Sequence, residues 1–154
     1  ITAAVKKYAR QPLIVKLSPN VTDIRETALA AQEGGADGIS LINTLTGMSI
    51  NAKTRRPLLG NVIGGLSGPC VKPVALRMVY ECARTVKIPI IGMGGINTGE
   101  DAAEFMLAGA SAVMVGTANF SDPLACPRII KELKEFGEQS GLGKISELTG
   151  GLIV

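Results

Sequence analysis

Two glycine-rich segments in the second half of the chain could bind a phosphate group. The apolar run Ile88–Gly92 leads into Gly94-Gly95, and a second apolar run, Ala112–Val115, leads into Gly116-Thr117. Backbone N–H groups that no bulky side chain shields suit an anion, and the loops after strands 7 and 8 of a (β/α)8 barrel commonly bind phosphate. The pattern therefore predicts that these segments hold the phosphate of a cofactor or substrate.

A lysine lies within an apolar strand near the start of the chain. The alternation of Leu13–Leu17 places Lys16 on the same strand face as Ile14. A lysine is costly to bury without an anionic or acceptor partner, which favours a bound ligand beside it. Alternatively, the side chain extends from the strand end into water. The residues alone leave both interpretations open.

A carboxamide and a hydroxyl follow the next strand. The sequence predicts a strand over Asp37–Ile42, with Asn43 and Thr44 at its carboxyl end. That end carries the active residues in barrels and in open α/β sheets. The two side chains could bind a planar polar ligand through donor and acceptor contacts. Asn and Thr are also favoured in turns, so a purely structural role is an alternative.

Few other residues could take part in chemistry. The chain has no histidine, so any proton transfer must use Lys, Cys, Ser, Thr or a carboxylate. Its three cysteines, Cys70, Cys82 and Cys126, are odd in number and lack the spacing of metal ligands. We therefore expect no metal site, and we expect a reduced protein of the cytoplasm.

The charge pattern argues against two classes of partner. A net charge of +3 is weak, and no aromatic residues alternate with the basic ones, so nucleic-acid binding is not expected. The one basic run, Lys53–Arg56, is typical of a solvent-exposed loop tip. No apolar run reaches the ~20 residues of a membrane-spanning helix. The chain begins at Ile1 rather than at Met, and we expect it to be a fragment.

A repeating strand–helix pattern positions the candidate residues. Short strands, apolar on both faces as in a parallel sheet covered by helices, are each followed by a helical segment. The predicted strands are 13–17, 38–43, 88–92 and 112–116. The helices are expected over 2–10, from Thr22 or Asn20, from Lys72, from Thr98, from Asp122 and within 144–154. Four such units form an α/β fold, one partial domain over 1–154, equal to half of a (β/α)8 barrel.

A long connection separates the second strand from the third helix. No helix is evident from Leu45 to about Lys72, and so long a connection in a compact domain usually has structure or function of its own. A hairpin with arms near Met48–Asn51 and Leu58–Ile63 would fit, followed by the flexible segment Gly64–Pro69. We therefore expect a hairpin-bearing insertion over 45–71.

Several stretches, in the same order along the chain, resemble a known family. They are Val15–Asp23, Ile42–Thr44, Gly64–Pro69 with Lys72-Pro73, Ile91–Ile96 and Val115–Asn119. Together they resemble the class 1 dihydroorotate dehydrogenases, which are FMN-dependent (β/α)8 barrels. The sequences of these stretches are most similar to class 1B, the catalytic subunit of the NAD-linked enzyme. The resemblance implies that this chain is the C-terminal half, strands 5 to 8, of an FMN-binding barrel.

The resemblance also implies a role for nine residues of this sequence. FMN is expected to contact Lys16, near the N1–C2=O edge of the ring, and Ile42, Gly68, Gly94, Gly95, Gly116 and Thr117, the last four at the phosphate. Asn43 and Thr44 are expected to bind the substrate. No catalytic residue is expected in this chain, because the family's catalytic cysteine belongs to the upstream half of the barrel. None of the three cysteines stands at the matching position.

The implied reaction is the flavin-dependent oxidation of (S)-dihydroorotate to orotate in de novo pyrimidine (UMP) biosynthesis. A partner subunit with FAD and an iron–sulfur cluster would pass electrons to NAD, around a homodimer core or in a heterotetramer. The isolated 154 residues are expected to be inactive. Two alternatives remain open: a domain like that of dihydropyrimidine dehydrogenase, and a phosphate-binding barrel enzyme without flavin. The sequence of Lys53–Asn61 resembles class 1B more than it resembles dihydropyrimidine dehydrogenase.

Overall fold

Eight strands and six helices make up the computed structural model, which describes all residues from Ile1 to Val154. The strands are β1 (Ile14–Lys16), β2 (Gly38–Leu41), β3 (Leu45–Met48), β4 (Ile50–Asn51), β5 (Arg56–Pro57), β6 (Ile63–Leu66), β7 (Ile90–Met93) and β8 (Ala112–Met114). The helices are α1 (Thr2–Lys6), α2 (Ile24–Glu33), α3 (Lys72–Ala83), α4 (Gly99–Leu107), α5 (Ala118–Ser121) and α6 (Ala125–Gln139). Short 3-10 turns cover Pro69–Val71 and Ile145–Leu148. None of the helices is long and apolar enough to cross a membrane.

Four of the strands form one parallel sheet. Its order is β1-β2-β7-β8, and each neighbouring pair is parallel. The register places Ile39 of β2 opposite Val15 of β1 and opposite Ile90 of β7. The predicted α/β fold of four strand–helix units is confirmed. Because the carboxyl ends of parallel strands meet at one edge, the loops that follow them also meet there.

Helices cover one face of this sheet and form the core. Phe105 of α4, Val79 of α3 and Ile39 of β2 are fully buried, and they belong to one apolar cluster. The ring of Phe105 packs directly on β7, because a Cβ on Gly92 would lie 2.6 Å from its Cδ1 atom. A residue larger than glycine at position 92 would push α4 away from the sheet.

The opposite face of the sheet is largely uncovered at its edge strands. Ile14 of β1 and Met114 of β8 are 49% and 51% exposed, and Lys16 on the same face as Ile14 is also exposed. Parallel sheets normally have both faces covered. In a closed (β/α)8 barrel this face would line the barrel axis, where side chains from all strands fill the interior.

Two helices begin at positions other than those predicted. Helix α2 begins after Asp23, whose carboxylate accepts the backbone N–H of Arg25, rather than after Thr22 or Asn20. Asn20 is instead engaged by the hairpin, because its Oδ1 atom accepts the backbone N–H of Thr46. The helix expected from Asp122 begins at 125, since residues 118–121 form a separate short helix that Asp122 terminates.

The long connection contains two nested antiparallel pairs. β3 pairs with β6 and β4 pairs with β5, so the hairpin extends from Leu45 to Leu66 and is longer than the predicted arms. Gly64 and Gly65, expected in a flexible segment, lie in strand β6. At Gly65 the strand passes close to Thr44, because a Cβ there would lie 2.4 Å from the Thr44 hydroxyl oxygen.

Candidate functional site

A cavity of about 400 Å³ opens at the carboxyl ends of the four parallel strands. All nine residues singled out from the sequence line it: Lys16, Ile42, Asn43, Thr44, Gly68, Gly94, Gly95, Gly116 and Thr117. Lys16 is the last residue of β1, and the others follow strands β2, β6, β7 and β8, so the convergence of the strand ends brings them together. A cavity of this size is within the usual range for a cofactor or small-molecule site.

The loop after β7, called the first glycine loop, contains Gly94 and Gly95. Their φ angles are +126° and +83°, in the region that favours glycine. A Cβ on Gly95 would lie 2.8 Å from the backbone nitrogen of Lys72 and 2.9 Å from the carbonyl oxygen of Gly68. Protein packing therefore requires glycine here, in addition to any requirement set by a ligand.

The loop after β8, called the second glycine loop, contains Gly116 and Thr117. A Cβ on Gly116 would meet no protein atom within 4 Å, so its backbone borders open space in the cavity. The Thr117 hydroxyl donates to the Ser67 hydroxyl at 2.9 Å, which connects this loop to the end of the hairpin. This loop leaves backbone accessible to a ligand, as the sequence argument requires.

Asn119 holds the second glycine loop in place, and sequence reasoning gave it no role. Its side-chain amide donates to the carbonyl oxygens of Val115 at 2.9 Å and Gly116 at 3.1 Å. Its Oδ1 atom accepts from the Cys126 thiol at 3.4 Å. An asparagine just after a glycine turn was the available signal, because asparagine commonly bonds nearby backbone.

An ion-pair cluster lies behind the first glycine loop. Lys72 contacts Asp101 at 2.6 Å and Glu104 at 3.0 Å, while the other Asp101 oxygen accepts the backbone N–H groups of Asn97 and Thr98. Burial would raise the pKa of Asp101, but the hydrogen bonds from Lys72 and the two N–H groups outweigh it and hold that pKa below its usual value. The hydrogen bond to Asp101 raises the pKa of Lys72. The cluster thus fixes the segment that follows Gly95.

Lys16 lies at the other side of the cavity, on strand β1. Its side chain is exposed, and no acceptor in this chain hydrogen-bonds or pairs with its ammonium group. It is the one titratable side chain in the cavity lining. The chain therefore presents a single cation to whatever occupies this side of the cavity.

Asn43 and Thr44 lie beside Lys16 in the lining and also form a local turn. The backbone N–H of Thr44 donates to Asn43 Oδ1 at 2.8 Å, and the side-chain amide of Asn20 donates to the Thr44 carbonyl oxygen at 3.0 Å. Both side chains are exposed, and both also border a smaller cavity of about 240 Å³ under the hairpin. The structure is thus compatible with a turn and with a ligand contact at these residues.

None of the cysteines lines the main cavity. Cys82 is fully buried, and burial raises the pKa of its thiol to about 12. Cys70 is exposed near Ser67, and Cys126 contacts Asn119. No three His, Cys, Asp or Glu side chains are grouped as metal ligands. The lining of the cavity contains neither cysteine nor carboxylate, so Lys16 is its one titratable side chain.

Comparison with known proteins identifies related sequences. The family model described as dihydroorotate dehydrogenase matches residues 1–136. A dihydroorotate dehydrogenase B (NAD(+)) catalytic subunit of Alkaliphilus oremlandii is 61% identical over 152 residues, which cover 99% of this chain and 50% of that protein. One of Geobacter metallireducens is 59% identical over 154 residues, 100% of this chain and 50% of that protein. The chain spans about half the length of these curated relatives.

A further relative is named for a different electron acceptor. A Solibacter usitatus protein, provisionally named for dihydroorotate dehydrogenase A (fumarate), is 57% identical over 152 residues. Those residues cover 99% of this chain and 50% of that protein. Relatives named for the B form and for the A form thus both match nearly the whole chain.

Proposed function

The chain belongs to the dihydroorotate dehydrogenase family, and on this premise we propose that it supplies the FMN phosphate site and part of the substrate site of an enzyme that oxidises (S)-dihydroorotate to orotate. This reaction is a step of de novo pyrimidine biosynthesis. The observation that carries the proposal is the convergence of nine expected flavin and substrate residues on one cavity at the carboxyl edge of the sheet. We further propose that the other half of the barrel lies in residues upstream of this chain.

The residues present fit FMN, which combines a dianionic phosphate with a planar ring system. At one side of the cavity the backbone beside Gly116 is open, as a phosphate requires. At the other side, Lys16 offers a cation without a partner in this chain. Such a cation suits the polar N1–C2=O edge of the flavin ring. The two ends of the cavity therefore have the two kinds of group that the two ends of FMN need.

Each end has a defined set of contacts in this proposal. The backbone of Gly94, Gly95, Gly116 and Thr117 binds the phosphate, and Ile42 and Gly68 contact the flavin through their backbone. Lys16 would hold the N1–C2=O edge of the ring. Bound FMN supplies the hydride acceptor for the oxidation. The chain's own task is to hold phosphate and ring so that the substrate stacks in line with the flavin.

Asn43 and Thr44 are proposed to bind the substrate, whose ring carries amide and carboxylate groups. Their exposed amide and hydroxyl groups can donate and accept at one face of the cavity. The base that removes the substrate proton is proposed to lie in the upstream half, because the lining of this half contains no cysteine or carboxylate. This chain thus binds and orients the reactants without performing the proton transfer.

The proposed assembly follows from the relatives' printed names and the family resemblance. Relatives named as catalytic subunits imply a second subunit, which we propose carries FAD and an iron–sulfur cluster and passes electrons to NAD. A homodimer of the catalytic chain, alone or within a heterotetramer in the cytoplasm, completes the proposal. Assays with NAD and with fumarate as acceptor distinguish this assembly from the A form.

Substrate specificity tests the proposed reaction directly. The experiment uses the complete enzyme, meaning the polypeptide that joins residues 1–154 to the other half of the barrel. We expect a flavin-containing protein that oxidises (S)-dihydroorotate and leaves uracil and dihydrouracil unchanged. Turnover of the uracil pair instead would assign the chain to a dihydropyrimidine dehydrogenase-like enzyme. A colourless protein without bound flavin would favour a flavin-free phosphate-binding barrel.

A further inference from the structure

One arginine of helix α6 makes polar contacts with the segments that follow both glycine loops. Arg128 Nη1 donates to the carbonyl oxygen of Asn97, two residues after Gly95, at 3.1 Å. Its Nε atom donates to Asp122 at 3.0 Å, in the segment that follows Gly116-Thr117. The guanidinium group therefore links the segment that follows β7 to the segment that follows β8.

A glutamate one turn further along α6 strengthens the contact on the β7 side. Glu132 Oε1 accepts from Arg128 Nη1 at 2.9 Å, and its Oε2 atom accepts the backbone N–H of Gly99 at 2.7 Å. Helix α6 is close enough to α4 that a Cβ on Gly99 would lie 2.4 Å from the Leu133 backbone nitrogen. The start of α4, and with it the end of the first glycine loop, is thus fixed against α6.

The contact on the β8 side acts through helix α5. This helix begins with Ala118, directly after Thr117. At its C-terminal end, the backbone N–H of Asp122 donates to the carbonyl oxygen of Ala118. The Asp122 carboxylate also accepts the backbone N–H of Leu124 at 2.9 Å. Holding Asp122 therefore fixes the end of a four-residue helix whose start is the second glycine loop.

We propose that Arg128 is a positioning residue that sets the spacing between the first and second glycine loops. It thereby determines how tightly the two loops bind the flavin phosphate. The inference rests on the proposed function, because it assumes that both loops bind that phosphate. A planar guanidinium can donate in several fixed directions at once, which a lysine ammonium cannot reproduce with the same geometry. The residue contacts neither loop's glycines, so it acts through the chain segments that follow them.

The charges of this cluster are consistent with that role. Hydrogen bonds from Arg128 and from backbone N–H groups lower the pKa of both Glu132 and Asp122. Hydrogen bonds to Glu132 and Asp122 raise the pKa of Arg128 in turn. All three groups therefore remain charged through the physiological pH range, and the connection between the loops persists there.

The test compares two ligands that differ only in the phosphate. FMN and riboflavin are titrated into the flavin-free complete enzyme, as wild type and as Arg128→Gln. We expect FMN affinity to fall about 10- to 100-fold, which corresponds to the loss of about one hydrogen bond to the charged phosphate. Riboflavin affinity should change by less than about twofold, because riboflavin lacks the phosphate that the two loops are proposed to bind. General destabilisation of the fold would instead weaken both ligands.

Two further variants and a control keep the test decisive. Asp122→Asn retains an oxygen for Leu124 but removes the charge that Arg128 contacts, and Arg128→Lys retains charge without the guanidinium geometry. Both should lower FMN affinity selectively, by less than Arg128→Gln does. Arg77→Gln removes a comparable i,i+4 pair with Glu81 on α3, and it should leave both affinities unchanged. If Arg128→Gln does not fold, Arg128→Lys and Asp122→Asn test the role of Arg128 in its place.

The outcomes separate the inference from the proposed function. A wild-type enzyme that binds riboflavin as tightly as FMN would contradict the phosphate site itself. A wild-type preference for FMN that Arg128→Gln, Arg128→Lys and Asp122→Asn all retain would overturn the role of Arg128 and leave the phosphate site intact.

Discussion

The two ends of the cavity are built in different ways. At the proposed phosphate end, formed by the two glycine loops, side chains of this chain fix each loop: Asn119 bonds the second, and Lys72 with Asp101 supports the first. At the proposed ring end, formed by Lys16, Asn43 and Thr44, the three side chains are exposed and the ammonium group has no partner within this chain.

This difference separates anchoring from chemistry. The contacts described for the two glycine loops all lie within this chain. The ring end lies next to the uncovered face of the sheet, where Ile14 and Met114 are about half exposed, so its other wall must come from elsewhere. Under the proposed function, the chain would supply the phosphate anchor and only part of the reaction site.

Removing the other half of the barrel should have the largest effect. The isolated chain of 154 residues should oxidise dihydroorotate at least about 10³-fold more slowly than the complete enzyme, since general-base catalysis alone contributes about 10²–10⁴-fold. Steady-state assays of both proteins, with FMN added in excess, measure the ratio. Robust turnover by the isolated chain would show that the ring end is complete after all.

Lys16 should matter far more than an exposed lysine of the hairpin. Lys16→Ala in the complete enzyme should lower flavin retention or activity about 10- to 100-fold, which corresponds to the loss of one charged hydrogen bond. Lys53→Ala, at the exposed basic run, should stay within about twofold of wild type. Equal effects of the two substitutions would mean that Lys16 is an ordinary surface lysine.

Alanine substitutions should distinguish the two glycine loops. Gly95→Ala should lower the free energy of unfolding by about 1–3 kcal/mol, because its positive φ and the 2.8 Å approach to Lys72 leave no room for a methyl group. Gly116→Ala should change it by less than about 0.5 kcal/mol. Its methyl group would instead enter the cavity and lower FMN affinity about tenfold. Denaturant unfolding and FMN titration of both variants give the two readouts, and destabilisation by Gly116→Ala would contradict the open backbone inferred there.

The ion pair behind the first glycine loop should give a pH-dependent contribution to stability. The folded-state pKa of Asp101 lies below its ordinary value, so its contribution is present above that value and is lost as pH falls below about 4. Asp101→Asn should therefore lower the free energy of unfolding by about 1–2 kcal/mol at pH 7, and the difference from wild type should shrink on acidification. A difference that is independent of pH would rule out the charge as its source.

The smallest effect is expected at the exposed cysteine. Cys70→Ser should leave dihydroorotate oxidation within about twofold of wild type, because Cys70 lies outside the cavity lining. A loss of activity comparable with that of Lys16→Ala would place a reactive thiol in this half of the enzyme. Steady-state assays of the two variants side by side make the comparison.

The sequence was sufficient to predict the strands and the residues at their carboxyl ends, because both depend on local patterns. Apolar runs and glycines predicted β7 and β8, and the nine residues that the family resemblance singled out are among the 20 that line the cavity. The resemblance also answered what the alternation of residues 13–17 left open about Lys16, although its role remains a prediction.

The contacts that fix the loops could not be read from local patterns. Arg128 meets Asn97 across 31 positions, and Lys72 meets Asp101 across 29, so both pairs depend on how helices pack. The short helix after Thr117 was also missed, because four residues carry too little periodicity to indicate a helix. Sequence reasoning therefore singled out residues that line the cavity and missed those that support them.

A crystal structure of the complete enzyme with FMN bound tests the central claim most directly. The account predicts phosphate oxygens at about 3 Å from backbone N–H groups of the first and second glycine loops, with the ring extending toward Lys16. A phosphate located beside Lys16 and Asn43, with the ring between the two glycine loops, would contradict it.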